Sequence, residues 1–216
     1  MRKVQLVNGE YYHVYNRGVE KRPVFLDKKD ISRFLQSMSE FNRVESYGGI
    51  YVSSFHKNKS LRHSVSKWVN IVCFCLNPNH YHLILEQVSD KGIEKFMHKI
   101  GNGYTKYFNH RHKRNGVLFQ GPFQSVHIKT NKQLLYASTY VNLNYKVHKM
   151  EDVGGIFLSS WSEYEKWRKT GFCEKSIICD QFPNFKEYEE FSKMSLEAIL
   201  RRKGDVEFME KSDEST

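Results

Sequence analysis

An α+β fold, an antiparallel sheet with helices packed on one of its faces, is what this 216-residue sequence predicts. Three observations carry that expectation. Two β-rich runs, 68–76 and 80–87, are separated only by the turn residues Asn77, Pro78 and Asn79, which reads as a hairpin. Apolar residues recur at three- and four-residue spacing in a segment on each side of that hairpin, the mark of amphipathic helices. The signals follow one another as strand, helix, hairpin, helix, strand, helix, with no internal repeat and no low-complexity tract.

Residues 11–17, Tyr-Tyr-His-Val-Tyr-Asn-Arg, are β-formers and read as the first strand, ended by Gly18. Residues 27–47 read as a helix with Ile31, Phe34, Leu35, Met38 and Phe41 on one side, stopped by Gly48-Gly49. A short strand at 50–53 and a polar, basic loop at 54–67 are expected next. In the second strand of the hairpin, alternation sends Tyr81, Leu83 and Leu85 toward the helices and His80, His82, Ile84 and Glu86 to the other face. Residues 91–110 form a helix with Ile93, Phe96, Met97 and Ile100 on one side, weakened in the middle by Gly101 and Gly103. A strand at 123–129 leads to Thr130 or Asn131 as the cap of a helix running to about residue 145. An aromatic stretch ends at Trp167, and helical spacing returns at Phe185, Tyr188 and Phe191. The acidic, Ser-rich tail from Asp205 is expected to fray. These signals divide the chain into a main domain, 1–167, and a helical C-terminal extension, 168–216.

Composition narrows the function classes. No apolar run is long enough to span a membrane, and the first residues are polar rather than signal-like. Four scattered cysteines make no disulfide framework, so the expected location is the reducing cytoplasm. The net charge of +10 is concentrated: between Lys95 and Met150 there is no acidic residue, while ten lysines and arginines fall there and the rest of the chain balances at 24 against 24. A neutral protein carrying one basic block reads as a polyanion binder, nucleic acid first.

Within that frame, His80 and His82 share a strand face with their rings about 6–7 Å apart, close enough to converge on one cation or to be an ordinary histidine pair. His110-Arg111-His112 sits at a helix end, where such spacing diverges, and reads as phosphate-contacting or solvated. Tyr136, Tyr140 and Asn144, four apart, fall on one helix face, as core or as chemistry. Cys73 and Cys75 read as buried thiols, and Tyr104 and Tyr107 as packing or base-stacking residues.

Pro78-Asn79-His80-Tyr81-His82-Leu83-Ile84-Leu85 resembles the histidine strand of the HUH nucleases, and the chain as a whole resembles the REP-associated tyrosine transposases. Tyr12-His13-Val14-Tyr15-Asn16-Arg17-Gly18, Gly103 to Asn109, Gly116 to Phe123, Tyr140-Val141-Asn142-Leu143-Asn144 and Trp161-Ser162-x-Tyr164 are similar, in order, to that family's segments across about residues 8 to 167. Tyr145 and Pro122 stand where the family usually has Pro and Arg. The resemblance implies a ferredoxin- or RRM-like core and a metal-dependent nuclease and strand transferase acting on single-stranded or hairpin DNA. It implies Tyr140 as nucleophile through a 5′-phosphotyrosine, and His80, His82 and Asn144 as ligands of Mg²⁺ or Mn²⁺. Gln120 would support the site. Lys95, Lys99, Lys106, Arg111, Lys113, Arg114, Lys129 and Lys132 from the basic block would meet DNA, and the protein would act as monomer or homodimer. The alternative is a non-catalytic hairpin DNA- or RNA-binding module, which has no use for Tyr140 together with His80 and His82.

Overall fold

The computed structural model describes residues 5–44, 66–150 and 155–213, with 203–213 as backbone alone. The strand expected at 50–53 and most of the loop expected at 54–67 lie outside the described residues. Five strands form one antiparallel sheet: β1 (Tyr11–Arg17), β2 (Val69–Asn77), β3 (His80–Gln87), β4 (Gln124–Ile128) and β5 (Leu158–Ser159), in the spatial order β4-β1-β3-β2-β5. The helices are α1 (Lys28–Glu40), α2 (Gly92–Arg111), α3 (Asn131–Asn142), α4 (Asn144–Val147), α5 (Trp161–Glu165), α6 (Ser176–Cys179) and α7 (Phe185–Asp213). Among the described residues, no helix is long and apolar enough to cross a membrane.

The α+β architecture and the antiparallel sheet stand as read from the sequence. The helices, however, occupy both faces. Tyr12, Val14, Leu83, Leu85 and Phe74 pack with Phe34, Phe96, Ile100 and Tyr104 of α1 and α2 in one apolar core. On the other face Val72, Cys73, Cys75 and Ile84 pack with Val141 of α3, Tyr145 of α4, and Tyr164 and Tyr188 of α5 and α7. The reason lies in β2, which is buried at eight of its nine positions and so needs cover on two sides.

Three element ends differ from the sequence expectation. The first helix stops at Glu40, because Asn42 turns its amide onto the backbone of Trp68 and Val69 and ties the chain to the start of β2. The helix carrying Tyr140 ends at Asn142; the chain turns at Leu143 and restarts as α4. The tail expected to fray from Asp205 continues in α7 to Asp213.

The hairpin tip is gripped from outside. Val24 and Phe25 N–H groups both donate to the Pro78 carbonyl at 2.7 and 2.9 Å, and Gly18 N–H donates to Asn79 O at 2.8 Å. A side chain at Gly18 would run into the Arg22 carbonyl oxygen, so only glycine allows this approach. The grip fixes the place of His80, the first residue of β3.

Candidate active site

Parity along β1 and β3 assembles the site. His82 lies opposite Tyr15, and His80 opposite Arg17, so His13, Tyr15, Arg17, His80 and His82 share the sheet face away from α1 and α2. α3 crosses this face and delivers Tyr140. Its ring centroid is 5.5 Å from that of His82 and 5.8 Å from that of His13, edge-on to both. The expected stripe therefore resolves in favour of Tyr140, not Tyr136, as the tyrosine that reaches the histidines. The two histidine rings lie 5.2 Å apart, edge to face. The convergence expected from the i, i+2 spacing is present within one chain.

Each imidazole is held at Nδ1. His80 Nδ1 meets Asn79 Oδ1 at 2.6 Å and His82 Nδ1 meets His13 Nε2 at 2.8 Å. Asn77 Nδ2 donates to His80 Nε2 at 2.9 Å, which leaves the His80 proton on Nδ1 facing Asn79. Burial pulls His82 well below the usual histidine range, with His13, His80 and His148 adding to the effect; burial likewise takes His13 to about 4. Both are neutral imidazoles at neutral pH, the form that ligates metals. Burial raises the Tyr140 phenol above its ordinary value, opposed by the Asn144 amide beside it, with Tyr15 and Cys75 adding smaller upward contributions.

Among the described residues no group of three or more His, Cys, Asp or Glu side chains is disposed to hold a metal ion. A cation here would draw on two imidazoles and one amide oxygen. The local chemistry fits that set. Asn144 Oδ1 lies 3.0 Å from His80 Nε2, and the Asn77 NH2 group donates to both, at 2.7 and 2.9 Å. Two adjacent ligands of a six-coordinate ion with bonds of about 2.1 Å are about 3 Å apart, so these lone pairs already converge as a cation requires. Among the described residues, the buried Asn144 Nδ2 makes no hydrogen bond. Asn77, which sequence reasoning treated only as a turn residue, thus joins the site.

A cleft of about 660 Å³ opens beside the histidines, lined among others by Arg17, Lys21, Gln120, Gln124 and His148. Gln120, the expected supporting residue, lines this cleft and bonds Arg17: its side-chain carbonyl accepts from Arg17 Nε, and its N–H donates to the Arg17 carbonyl at 2.8 Å. Arg17, Lys21 and His148 were not singled out from sequence. Strand parity could have found Arg17, two residues beyond Tyr15 on the histidine face; His148 stacks edge-on to His80 at 4.6 Å, a contact that no local pattern announces.

The basic residues separate into distinct roles. Lys106, Lys113, Lys129 and Lys132 are exposed. Lys95 and Lys99 hold their ammonium groups 4.5 and 5.6 Å over the Trp68 ring, and Arg114 lies 5.6 Å over Phe108. Arg111, expected on DNA, is a correction: its guanidinium is clasped by Asp27 and by the fully buried Asp30, and His112 also meets Asp30, at 3.0 Å. Its charge is balanced by these two carboxylates at the start of α1. Tyr104 is likewise core rather than a base platform, its hydroxyl bonded to Val24 O at 2.6 Å. Cys73 and Cys75 are buried thiols, the second pushed up to about 12 by burial.

α3 is itself pinned by α7 and by the segment after β5. Tyr188 Oη pairs with Ser138 Oγ at 3.1 Å and accepts from Asn142 Nδ2 at 3.2 Å; Thr139 Oγ1 and Ser192 Oγ are 3.2 Å apart. Ser160 Oγ donates to Asn142 Oδ1 at 2.6 Å while accepting the Phe74 N–H of β2 at 2.8 Å. The C-terminal extension therefore sets the position of the helix that carries Tyr140.

No family model matches this chain, and no curated protein matches it in sequence. Among solved structures, the chain is similar in fold to a REP-associated tyrosine transposase bound to a REP hairpin, with a TM-score of 0.51 and 12% identity over 80% of this chain and 88% of that one.

Proposed function

We propose that the chain is a metal-dependent, single-tyrosine DNA nuclease and strand transferase that acts on single-stranded or hairpin DNA through a 5′-phosphotyrosine. The observation that carries this reading is the meeting, in one chain, of Tyr140 with His80 and His82, with the Asn144 oxygen beside the His80 nitrogen. The fold likeness to a transposase bound to hairpin DNA supports the same reading.

In this reading Tyr140 Oη attacks the scissile phosphorus and the 3′-oxygen leaves. The phenol gives up one proton and the departing oxygen takes one up, so the exchange is proton-neutral. His80, His82 and Asn144 would hold Mg²⁺ or Mn²⁺, which would supply a positive charge for the phosphate oxygens and favour the phenolate. Arg17, oriented by Gln120, and Lys21 lie in the cleft where flanking phosphates would run. Asn79 and His13 keep the two ligand rings aimed.

The test is covalent capture. Incubation with hairpin and single-stranded oligonucleotides in manganese should yield a denaturation-resistant protein–DNA adduct. Tyr140→Phe keeps the ring and should abolish the adduct with binding retained. An adduct in the Phe variant moves the nucleophile elsewhere; binding without any wild-type adduct would favour a non-catalytic binder.

A further inference from the structure

We infer that the Asn77 amide is a built-in stand-in for the cation, a positioning group that holds His80 and Asn144 together and must turn aside before His80 can ligate. The inference rests on the reading of His80, His82 and Asn144 as metal ligands and adds to it a residue that competes with the metal.

Asn77 is an unusual residue for its place. It ends β2, is fully buried, and lies opposite His80 in the register, on the histidine face. Asparagine is a poor strand former, and a buried amide is costly unless its hydrogen bonds are made. Those of Asn77 are made within the site. Its NH2 group donates to His80 Nε2 at 2.9 Å and to Asn144 Oδ1 at 2.7 Å, and its oxygen accepts from the Cys75 thiol at 3.7 Å.

The direction of these bonds follows from a backbone carbonyl at the end of the row. Asn79 Nδ2 donates to Lys21 O at 3.1 Å, so Asn79 turns its oxygen to His80 Nδ1, at 2.6 Å. Nδ1 therefore carries the proton, and Nε2 presents a lone pair. Only the NH2 side of the Asn77 amide can face that lone pair, and the same NH2 then meets the Asn144 oxygen.

Competition follows from the chemistry of imidazole. An unprotonated ring nitrogen has one lone pair, in the ring plane. The Asn77 nitrogen takes it from 2.9 Å, and a cation would need the same lone pair at about 2.1 Å. The two exclude each other. Without Asn77, the His80 lone pair and the Asn144 oxygen, 3.0 Å apart, would face each other with no donor between them. The amide thus supplies with N–H dipoles the positive pole that a cation supplies with its charge. It keeps the two ligands assembled, and it lowers cation affinity by the worth of the bonds that the cation must break.

The experiment measures manganese binding by calorimetry without DNA, together with thermal unfolding in EDTA and in manganese. Asn77→Val removes the NH2 group and ends one bond short of it, so the cation's place stays open; Asn77→Ala is the smaller alternative. Asn77→Val should bind manganese about tenfold more tightly than wild type. In EDTA its unfolding midpoint should fall by about 3–6 °C, a gap that manganese narrows. In wild type itself, the Asn77 side-chain amide resonances should shift when magnesium binds; resonances that stay fixed overturn the inference without any variant. A lower midpoint with unchanged manganese affinity means that Asn77 serves folding alone, and weaker binding makes it a ligand; either result overturns the stand-in. The Tyr140 adduct, scored on the same wild-type preparation, separates the two claims. An adduct with unchanged affinity in Asn77→Val removes the stand-in and leaves the nuclease reading. Tighter binding in Asn77→Val with no wild-type adduct does the reverse, and no manganese binding by wild type overturns both.

Discussion

Tyr188→Phe isolates one hydroxyl in the contact between the C-terminal extension and the helix that carries Tyr140. Tyr188 is fully buried, and its ring packs against Tyr164 and Trp161 at 5.3 and 5.8 Å, contacts that phenylalanine keeps. What is lost is the pair of bonds to Ser138 and Asn142. Ser138 Oγ retains the Leu135 carbonyl at 2.7 Å, whereas the buried Asn142 Nδ2 gives up its Tyr188 acceptor. A buried donor left unpaired costs about 1–3 kcal/mol, so the expected destabilisation is about 2 kcal/mol. For a chain of this size that lowers the midpoint of thermal unfolding by about 4–8 °C. Because Asn142 is two residues from Tyr140, adduct formation should slow as well, with hairpin affinity little changed. Urea and thermal unfolding followed by near-ultraviolet dichroism give the stability, and single-turnover capture gives the rate. A loss below about 0.5 kcal/mol, with an unaltered capture rate, would refute the idea that this network holds the helix in place.

The salt dependence of DNA affinity separates two residues that sequence alone groups together. With roughly four to six phosphate contacts, the log–log slope should be about −3 to −5. Lys106→Ala should flatten it by about one, while Arg111→Ala, whose charge is taken by Asp27 and Asp30, should leave it unchanged; equal flattening in both would contradict the ion-pair assignment. Manganese binding by calorimetry should weaken at least tenfold in His80→Ala, and EDTA should abolish the covalent adduct with the dichroism spectrum intact; an adduct that persists in EDTA would remove the metal from the reading. Acid should destabilise the protein. His13 takes a proton near 6.5 when unfolded but only at about 4 when folded, so the unfolded state binds more protons in that window. Stability is fully present above the unfolded value and falls by up to about 3 kcal/mol as pH drops through the window; a urea midpoint flat from neutral pH to about 4 would speak against it.

Much of the fold is written in local pattern. The two β-forming runs and the Asn-Pro-Asn turn between them fix a hairpin without tertiary information. Burial on both sheet faces was also on the page, in the unbroken run Ile71-Val72-Cys73-Phe74-Cys75-Leu76, which no single-faced sheet would need. The break at Leu143 was not, because it answers to the Ser159 and Ser160 contacts at Asn142 rather than to helix propensity. Arg111 shows the same limit in its charge: its carboxylate partners are more than 80 residues away, and a count of local charge cannot see them.

The candidate site was legible where parity alone decides and hidden where register decides. His80 and His82 share a face on any strand, but which β1 residues meet them depends on the pairing of Arg17 with His80 and Tyr15 with His82. A slip of one residue would put Asn16 opposite His80 and place Tyr12 and Val14, now core, on the histidine face. The grip of Gly18, Val24 and Phe25 on the hairpin tip prevents that slip. It also brings Asn77 and Asn79 to the two nitrogens of His80, so one turn sets both the strand register and the aim of the ring. Loosening the turn, by Gly18→Ala for instance, should therefore cost histidine geometry before it costs the sheet, with manganese affinity falling further than the unfolding midpoint; a parallel fall of the two would mean that the turn serves the fold alone.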